Sequence, residues 1–199
     1  LPLRTIQGTA NTGLYAPWGI ALDSANDEIV VSNSGNDSIT VYDRTNAVGD
    51  AAPKRTIQTI KDSSGVVTID SGLDGPGGVY VDTINNEIGV ANGGASNSIT
   101  IYDRLDDIND PTNHPSKPLR TIQGPTTGLS TPCGIAVYND EIFVANNHNN
   151  SITVYNRTDD SKVTNGAPTV DVTPKRIIQG PTTGLSRVCG IFVDEKLDE

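Results

Sequence analysis

The chain has 199 residues and a formal net charge of −10, with only 19% charged residues. Nucleic acids and anionic membranes attract clustered Lys and Arg, whereas the basic residues here are spread along the chain, so neither is an expected partner. No apolar run approaches the ~20 residues that cross a bilayer. The two cysteines form no zinc or haem motif, and the many Asn, Ser, Thr and Gly residues predict an extracellular, cell-surface or periplasmic protein.

The chain repeats one pattern of four short strands. Residues 1–8 are predicted to be the last strand of a preceding unit, and residues 190–199 the first strand of a following one. Three complete units lie between them, over residues 19–59, 78–123 and 134–179. In each unit the first strand opens at a glycine, and the recurring glycines are Gly19, Gly78, Gly134 and Gly190.

The second and third strands of each unit carry the clearest signal, at residues 28–44, 87–104 and 141–157. Runs rich in Val, Ile, Thr and Tyr flank a turn of Asn, Gly and Ser, which is typical of a β-hairpin. These strands are apolar or β-branched on both faces, so both faces are expected to be covered. Four-stranded units at a regular period predict the blades of a β-propeller.

The predicted fold is therefore an all-β propeller of four-stranded antiparallel blades, with three complete blades and partial blades at both ends. Closed propellers have 4–8 blades. We accordingly expect part of a six-bladed or larger ring, which the remainder of a longer chain or other copies would complete.

A family resemblance rests on Pro-x-Gly-Ile-Ala-x-Asp, Asn-x-Glu-Ile-x-Val-Ala-Asn and Asn-Ser-Ile-Thr-Val-Tyr-Asp-Arg. This pattern resembles NHL-type repeat proteins and the YncE-like, lactonase-like bacterial propellers. The resemblance implies a non-enzymatic binding platform for a protein or glycan, or a structural surface protein. One alternative is a lactonase-like or lyase-like enzyme with a metal in the central channel. Another is a self-assembling component that completes blades between copies.

Two sets of recurring residues are candidates for a binding site. Trp18, Cys133 and Cys189 share one position before the strand-opening glycine, where we expect them to rim one mouth of the channel, with both cysteines as free, largely buried thiols. The second set, which closes the second strands, consists of Asn33, Asn92 and Asn146. Asn there would either line a ligand site or support the turn that follows, and the second interpretation is favoured.

Asp23, Asp82 and Asp194 end the first strands, where a ring of carboxylates would suit Ca²⁺. Calcium is the one cofactor that this pattern suggests, and Tyr138 interrupts the ring. Asp beside a tight turn more often caps backbone amides, so no metal site is expected. No catalytic residue is predicted, because no nucleophile motif accompanies His114 or His148.

The arginines after the third strands, Arg44, Arg104 and Arg157, recur so regularly that a structural role is expected. The nearest carboxylates in sequence are those of Asp43 and Asp103, and we predict ion pairs with them along the blade edge. Exposed pairs of this kind contribute about 0–1 kcal/mol.

Overall fold

The computed structural model describes residues 2–158 and 169–194. Within these ranges the protein is all-β and contains no helix. The described strands are β1 (Pro17–Asp23), β2 (Glu28–Asn33), β3 (Ser38–Asp43), β4 (Arg55–Gln58), β5 (Ile60–Lys61), β6 (Val67–Ile69), β7 (Pro76–Asp82), β8 (Glu87–Asn92), β9 (Ser98–Asp103), β10 (Arg120–Ile122), β11 (Pro132–Tyr138), β12 (Glu141–Asn146), β13 (Ser151–Asn156), β14 (Thr169–Val170) and β15 (Arg176–Ile178).

The strands form three antiparallel four-stranded sheets, which confirms the predicted fold class. Blade 1 has the order β1-β2-β3-β4, blade 2 the order β7-β8-β9-β10, and blade 3 the order β11-β12-β13-β15. The short strand β14 adds to the outer edge of blade 2, parallel to β10. Within the described residues the three sheets do not close into a ring.

The blades stack through their first strands, with β1 against β7 and β7 against β11. Val30 and Val41 of blade 1 share an apolar core with Val79 and Ile88 of blade 2, and a second core joins blades 2 and 3. Fully burying one such side chain contributes about 1.5–3 kcal/mol. The near-continuous apolar runs of the sequence are therefore explained by sheets that pack against one another, and blade 2 is covered on both sides.

Polar contacts repeat at each junction between blades. The turn between the second and third strands ends in a left-handed residue, Asp37 in blade 1 and Asn97 in blade 2. The Asp37 carboxylate accepts a hydrogen bond from the Gly75 amide at 2.8 Å, and the Asn97 side chain accepts one from the Thr131 amide at 2.6 Å. Each turn thus binds the connector that leads into the next blade.

The arginines after the third strands also link neighbouring blades. Arg104 of blade 2 donates to both carboxylate oxygens of Asp23 in blade 1 at 3.0 Å, and Arg157 of blade 3 pairs with Glu87 of blade 2 at 3.3 Å. The predicted pairs with Asp43 and Asp103 are wrong. Those two carboxylates instead accept hydrogen bonds from the backbone amides of the turn that follows each of them.

The fourth strand of a blade is held by the long loop of the next one. The Ile108 amide, in the loop after β9, donates to the Thr56 carbonyl of β4 at 2.7 Å. β14, in the loop after β13, pairs with β10 in the same way. At the N-terminus the equivalent contact is a parallel bridge between Ile6 and Gly49.

Two of the expected strands do not form within the described residues. Residues 2–8 make only the bridge at Ile6, and residues 190–194 form no strand, while residues 195–199 lie outside the described residues. A strand exists only where a neighbour accepts its hydrogen bonds, and neither segment has a described antiparallel partner. Sequence reasoning also missed the hairpin of β5 and β6, which the turn Asp62-Ser-Ser-Gly65 could have indicated.

The carboxyl of Asp106 is buried in the loop that covers β4, and its Oδ2 has no hydrogen-bond partner. Burial, together with the nearby Asp103, raises its pKa from 3.8 to about 7. The folded state therefore keeps this proton over a pH range in which the unfolded chain has lost it.

We expect Asp106 to make the protein less stable as the pH rises from about 4 to about 7, since over this range the unfolded chain releases the proton and gains the free energy of ionisation, whereas burial makes the folded state keep it. Asp106→Asn removes this part of the pH dependence. Urea unfolding from pH 4 to 8 measures it, with Asp110→Asn in the same loop as the control. Parallel pH profiles for the wild type and Asp106→Asn would contradict the assignment.

Candidate functional site

Trp18 and the two cysteines lie together at the end of the stacked first strands. Trp18, Cys133 and Cys189 line one cavity of about 230 Å³, together with the glycine that follows each of them. A second cavity of about 240 Å³, here called the mouth groove, lies between Trp18 and Ser34 of blade 1 and residues of blades 2 and 3. These other residues of the mouth groove are Gly75, Pro76, Gly77, Gly93, Gly94, Thr131, Pro132 and Cys133.

Glycine lets blades 2 and 3 come close together at this end. A Cβ at Gly77 would lie 2.8 Å from the carbonyl oxygen of Cys133, and one at Gly93 would lie 2.9 Å from that of Pro132. Side chains at these positions would push blades 2 and 3 apart. The mouth groove therefore consists largely of backbone and proline rings, and the exposed indole of Trp18 is its largest side chain.

The mouth groove has the chemistry of a recognition surface. An indole presents a flat apolar face and one N–H donor, a combination suited to sugar rings, prolines and aromatic side chains. Its lining residues include no Asp, Glu, His, Lys or Arg, so they offer no general acid or base.

Cys133 and Cys189 form a disulfide with a Cα–Cα distance of 4.9 Å. The expectation of two free thiols is wrong. It relied on the ~10 Å spacing of packed sheets, which holds where side chains separate two blades. At the mouth the backbones approach each other more closely, and the cysteines come within the 4.4–6.8 Å that a disulfide spans.

The three strand-closing asparagines are fully buried and bond within their own blades. Asn92 accepts a hydrogen bond from the Asp74 amide at 3.2 Å and donates to the hydroxyls of Ser98 and Thr100. Asn33 and Asn146 make the equivalent contacts with their connectors and third strands. These side chains fix each connector to its hairpin and do not line the mouth groove.

The aspartates that end the first strands cap turns. Asp23 accepts hydrogen bonds from the Ala25 and Asn26 amides at 3.0 Å, and it also binds Arg104. Asp82 caps the equivalent turn. Asp194 lies at the end of the described residues.

The hydrogen bonds of Asp23 and Asp82 occupy oxygens that a Ca²⁺ ion, which takes six to eight oxygen ligands, would otherwise use. The described residues contain no group of three or more His, Cys, Asp or Glu side chains placed to hold a metal. Among the described residues there is also no helix with the length and apolarity to span a membrane.

Comparison with known proteins supports the propeller fold. The family model for the NHL repeat matches residues 14–42, which hold β1, β2 and all but the last residue of β3. The search of curated proteins finds no match.

Many solved structures are similar to the chain, and two of them illustrate the likeness. Hydrazine synthase of Kuenenia stuttgartiensis aligns with a TM-score of 0.54 at 18% identity, over 96% of this chain and 43% of that one. A chain of a nidogen/laminin complex aligns with a TM-score of 0.45 at 17% identity, over 89% of this chain and 68% of that one. The chain thus spans less than half of the hydrazine synthase chain, and at these identities the likeness concerns the fold alone.

Asn92→Ala should lower the free energy of unfolding by about 1–3 kcal/mol, because it leaves buried donors and acceptors without partners. Urea denaturation measures the change. Asn113→Ala is the matched control, since Asn113 is exposed and, among the described residues, its side chain bonds to Asp110. Equal effects of the two substitutions would show that Asn92 is not the structural contact described here.

Alkylation under denaturing conditions should find no free thiol before reduction and two after it. The Cys133→Ser and Cys189→Ser double variant should lose about 2–4 kcal/mol of stability, because the bridge constrains the unfolded chain between residues 56 positions apart. Mass spectrometry and urea unfolding measure these quantities. Labelling of both thiols before reduction would contradict the bridge.

Proposed function

We propose that this protein is a non-enzymatic β-propeller binding platform that recognises a protein or glycan partner at the mouth groove. The observation that carries the proposal is Trp18, an indole that is 63% exposed beside a groove of glycine and proline. Exposed aromatic side chains of this kind supply most of the binding energy of many interfaces. The recurring Asn, Asp and Arg side chains bond to the protein itself and are structural.

We further propose an extracellular or periplasmic location. The Cys133–Cys189 disulfide supports it, because disulfides persist in oxidising compartments. The low content of basic residues supports a partner other than a nucleic acid. An NHL-type propeller that presents a rigid, disulfide-fixed mouth would hold its recognition residues in place before the partner binds, which lowers the entropic cost of binding.

Trp18→Ala should weaken binding at least tenfold, which corresponds to about 1.4 kcal/mol or more. The probes are an oligosaccharide array and a proline-rich peptide array, followed by titration of any hit. Ile84→Ala is the matched control, because Ile84 is 92% exposed and does not line the mouth groove. Unchanged binding in Trp18→Ala, with Ile84→Ala weakened, would place the recognition surface elsewhere.

The competing hypothesis is a lactonase-like or lyase-like enzyme with a channel metal. The same preparation is therefore analysed for bound calcium and assayed for lactone hydrolysis with and without chelator. Stoichiometric metal together with chelator-sensitive turnover would overturn the binding-platform proposal in favour of the enzyme.

A further inference from the structure

A separate cavity of about 480 Å³ lies on blade 2, and it shares no lining residue with the mouth groove. It is bounded by the connector that leads into blade 2, by the turn between β8 and β9, and by the start of β10. This cavity is here called the blade 2 cleft, and its lining includes Asp70, Gly72, Leu73, Ser96, Lys117 and Pro118.

In blades 1 and 3 a carboxamide joins the connector to the hairpin at the equivalent place. Asn36 donates to the Gly13 carbonyl at 3.5 Å and accepts from the serine that opens the third strand at 2.8 Å. Asn149 donates to the Gly128 carbonyl at 3.2 Å and accepts from the corresponding serine at 2.7 Å. One amide group thus binds one carbonyl and one hydroxyl in each of these two blades.

Serine replaces this asparagine in blade 2. In blade 1 the Gln58 side chain donates to the carbonyl of Asn36 at 3.1 Å. In blade 2 the Gln123 side chain donates to the carbonyl of Ser96 at 3.0 Å. Ser96 therefore takes the place of Asn36, and its shorter side chain leaves the blade 2 cleft open.

The groups that the carboxamide would bind are still present in blade 2. Gly72 has a φ of +68°, against +69° at Gly13, so the connector turns in the same way. Among the described residues no group donates to the Gly72 carbonyl. Ser98 accepts from Asn92 at 3.2 Å and can donate its own proton to Ser96, 3.2 Å away. The Ser96 hydroxyl is then able to donate to a ligand.

Two charged residues of the blade 2 cleft also depart from the repeat. Asp70 stands where the connector of blade 3 has Thr126, and Lys117 stands where its loop has Thr173. The Asp70 Oδ1 atom accepts from the Gly72 amide at 2.9 Å, whereas Oδ2 has no partner among the described residues. Lys117 forms no salt bridge within the part of the chain that the structure describes. All three departures from the repeat line one cavity.

From these observations we propose that the blade 2 cleft is a binding site for an N-acetylhexosamine, a sugar that carries an acetamido group. The acetamido N–H donates to the Gly72 carbonyl, and the acetamido oxygen accepts from Ser96, as the carboxamide does in the other blades. Ring hydroxyls bond to the Asp70 carboxylate and the Lys117 ammonium. Leu73 supplies apolar contact for the C–H face of the sugar ring.

The charges of the blade 2 cleft favour a sugar over a side chain of a partner protein. An Asn or Gln side chain would bind Gly72 and Ser96 but would leave Asp70 and Lys117 without hydrogen-bond partners. A neutral ligand with many hydroxyls satisfies both a carboxylate and an ammonium. The cleft also has the size of a small-molecule site, which is about 300–1,000 Å³. This site is additional to the mouth groove and does not depend on it.

Titration of the ¹⁵N-labelled protein, followed by NMR, tests the proposal. The probes are N-acetylglucosamine and N-acetylgalactosamine, with glucose and N-acetylasparagine amide as matched compounds. We expect saturable shifts of the Ser96 amide and the Gln123 side-chain amide with at least one acetamido sugar. That sugar should bind about tenfold or more tightly than glucose, because glucose leaves the amide-binding groups unpaired.

Three outcomes of the titration would overturn the proposal. Neither acetamido sugar might shift these two signals, which would show that the blade 2 cleft binds no such ligand. Equal affinity for glucose would show that the acetamido group is not recognised. Tighter binding of N-acetylasparagine amide would identify a peptide side chain as the ligand.

Ser96→Asn restores the residue that blades 1 and 3 have at this position. The new carboxamide should occupy the acetamido position and weaken binding about tenfold or more, while the rest of the NMR spectrum stays that of the folded protein. Ser63→Asn is the matched control, because Ser63 is exposed and does not line the blade 2 cleft. Wild-type affinity in Ser96→Asn would contradict the proposed position of the acetamido group.

Lys117→Gln tests the site without altering the turn. Lys117 is exposed, so the variant should fold, and the loss of the ammonium should weaken binding about threefold or more. Lys61→Gln, at an exposed position outside the blade 2 cleft, is the control. Trp18→Ala should leave the sugar affinity unchanged, which separates this site from the mouth groove. Loss of sugar binding in Trp18→Ala, with Lys117→Gln unaffected, would place the sugar at the mouth groove instead.

Discussion

The structure depends on burial between neighbouring sheets. Each blade is apolar on both faces, so a single sheet cannot hide its own hydrophobic surface and is stable only when another sheet lies against it. Ile39 and Ile99 are completely buried for this reason, although each belongs to a sheet only four or five strands wide. Ile20 and Leu22 of β1, against which no described sheet packs, are correspondingly exposed.

Burial of apolar surface drives this packing, whereas the recurring polar contacts set its geometry. Asn92, Arg104 and the capping aspartates each satisfy backbone or side-chain groups that burial would otherwise leave unpaired. The outer strands carry a second set of ion pairs, and at Glu141 the hydrogen bonds from Arg176 and Lys175 lower the pKa of the carboxyl to about 2. Because the same contacts recur in each blade, they fix the spacing and the register of the blades along the stack. The shape of the mouth groove, which is lined by residues of three blades, follows from that spacing.

Equivalent positions in a repeat protein acquire different roles where the sequence departs from the repeat. The position before the strand-opening glycine is Trp18 in blade 1, Gly77 in blade 2 and Cys133 in blade 3. Glycine there allows a close backbone approach, cysteine forms a bridge to Cys189, and tryptophan provides an exposed aromatic surface. The binding function that we propose uses the copy of this position in which tryptophan replaces the residues that pack or bridge the blades, while the invariant repeats stay structural.

The sequence by itself determined the blades. Strand composition, the turns of Asn, Gly and Asp, and the regular period predicted four-stranded sheets, because these signals are local and recur three times. It also indicated that Trp18, Cys133 and Cys189 share a position. Only the tertiary structure decided that the two cysteines are bridged, that Arg104 reaches Asp23 rather than Asp103, and that Asn92 is buried. These outcomes depend on how closely one sheet approaches the next, and that distance is set by packing between residues far apart in the chain.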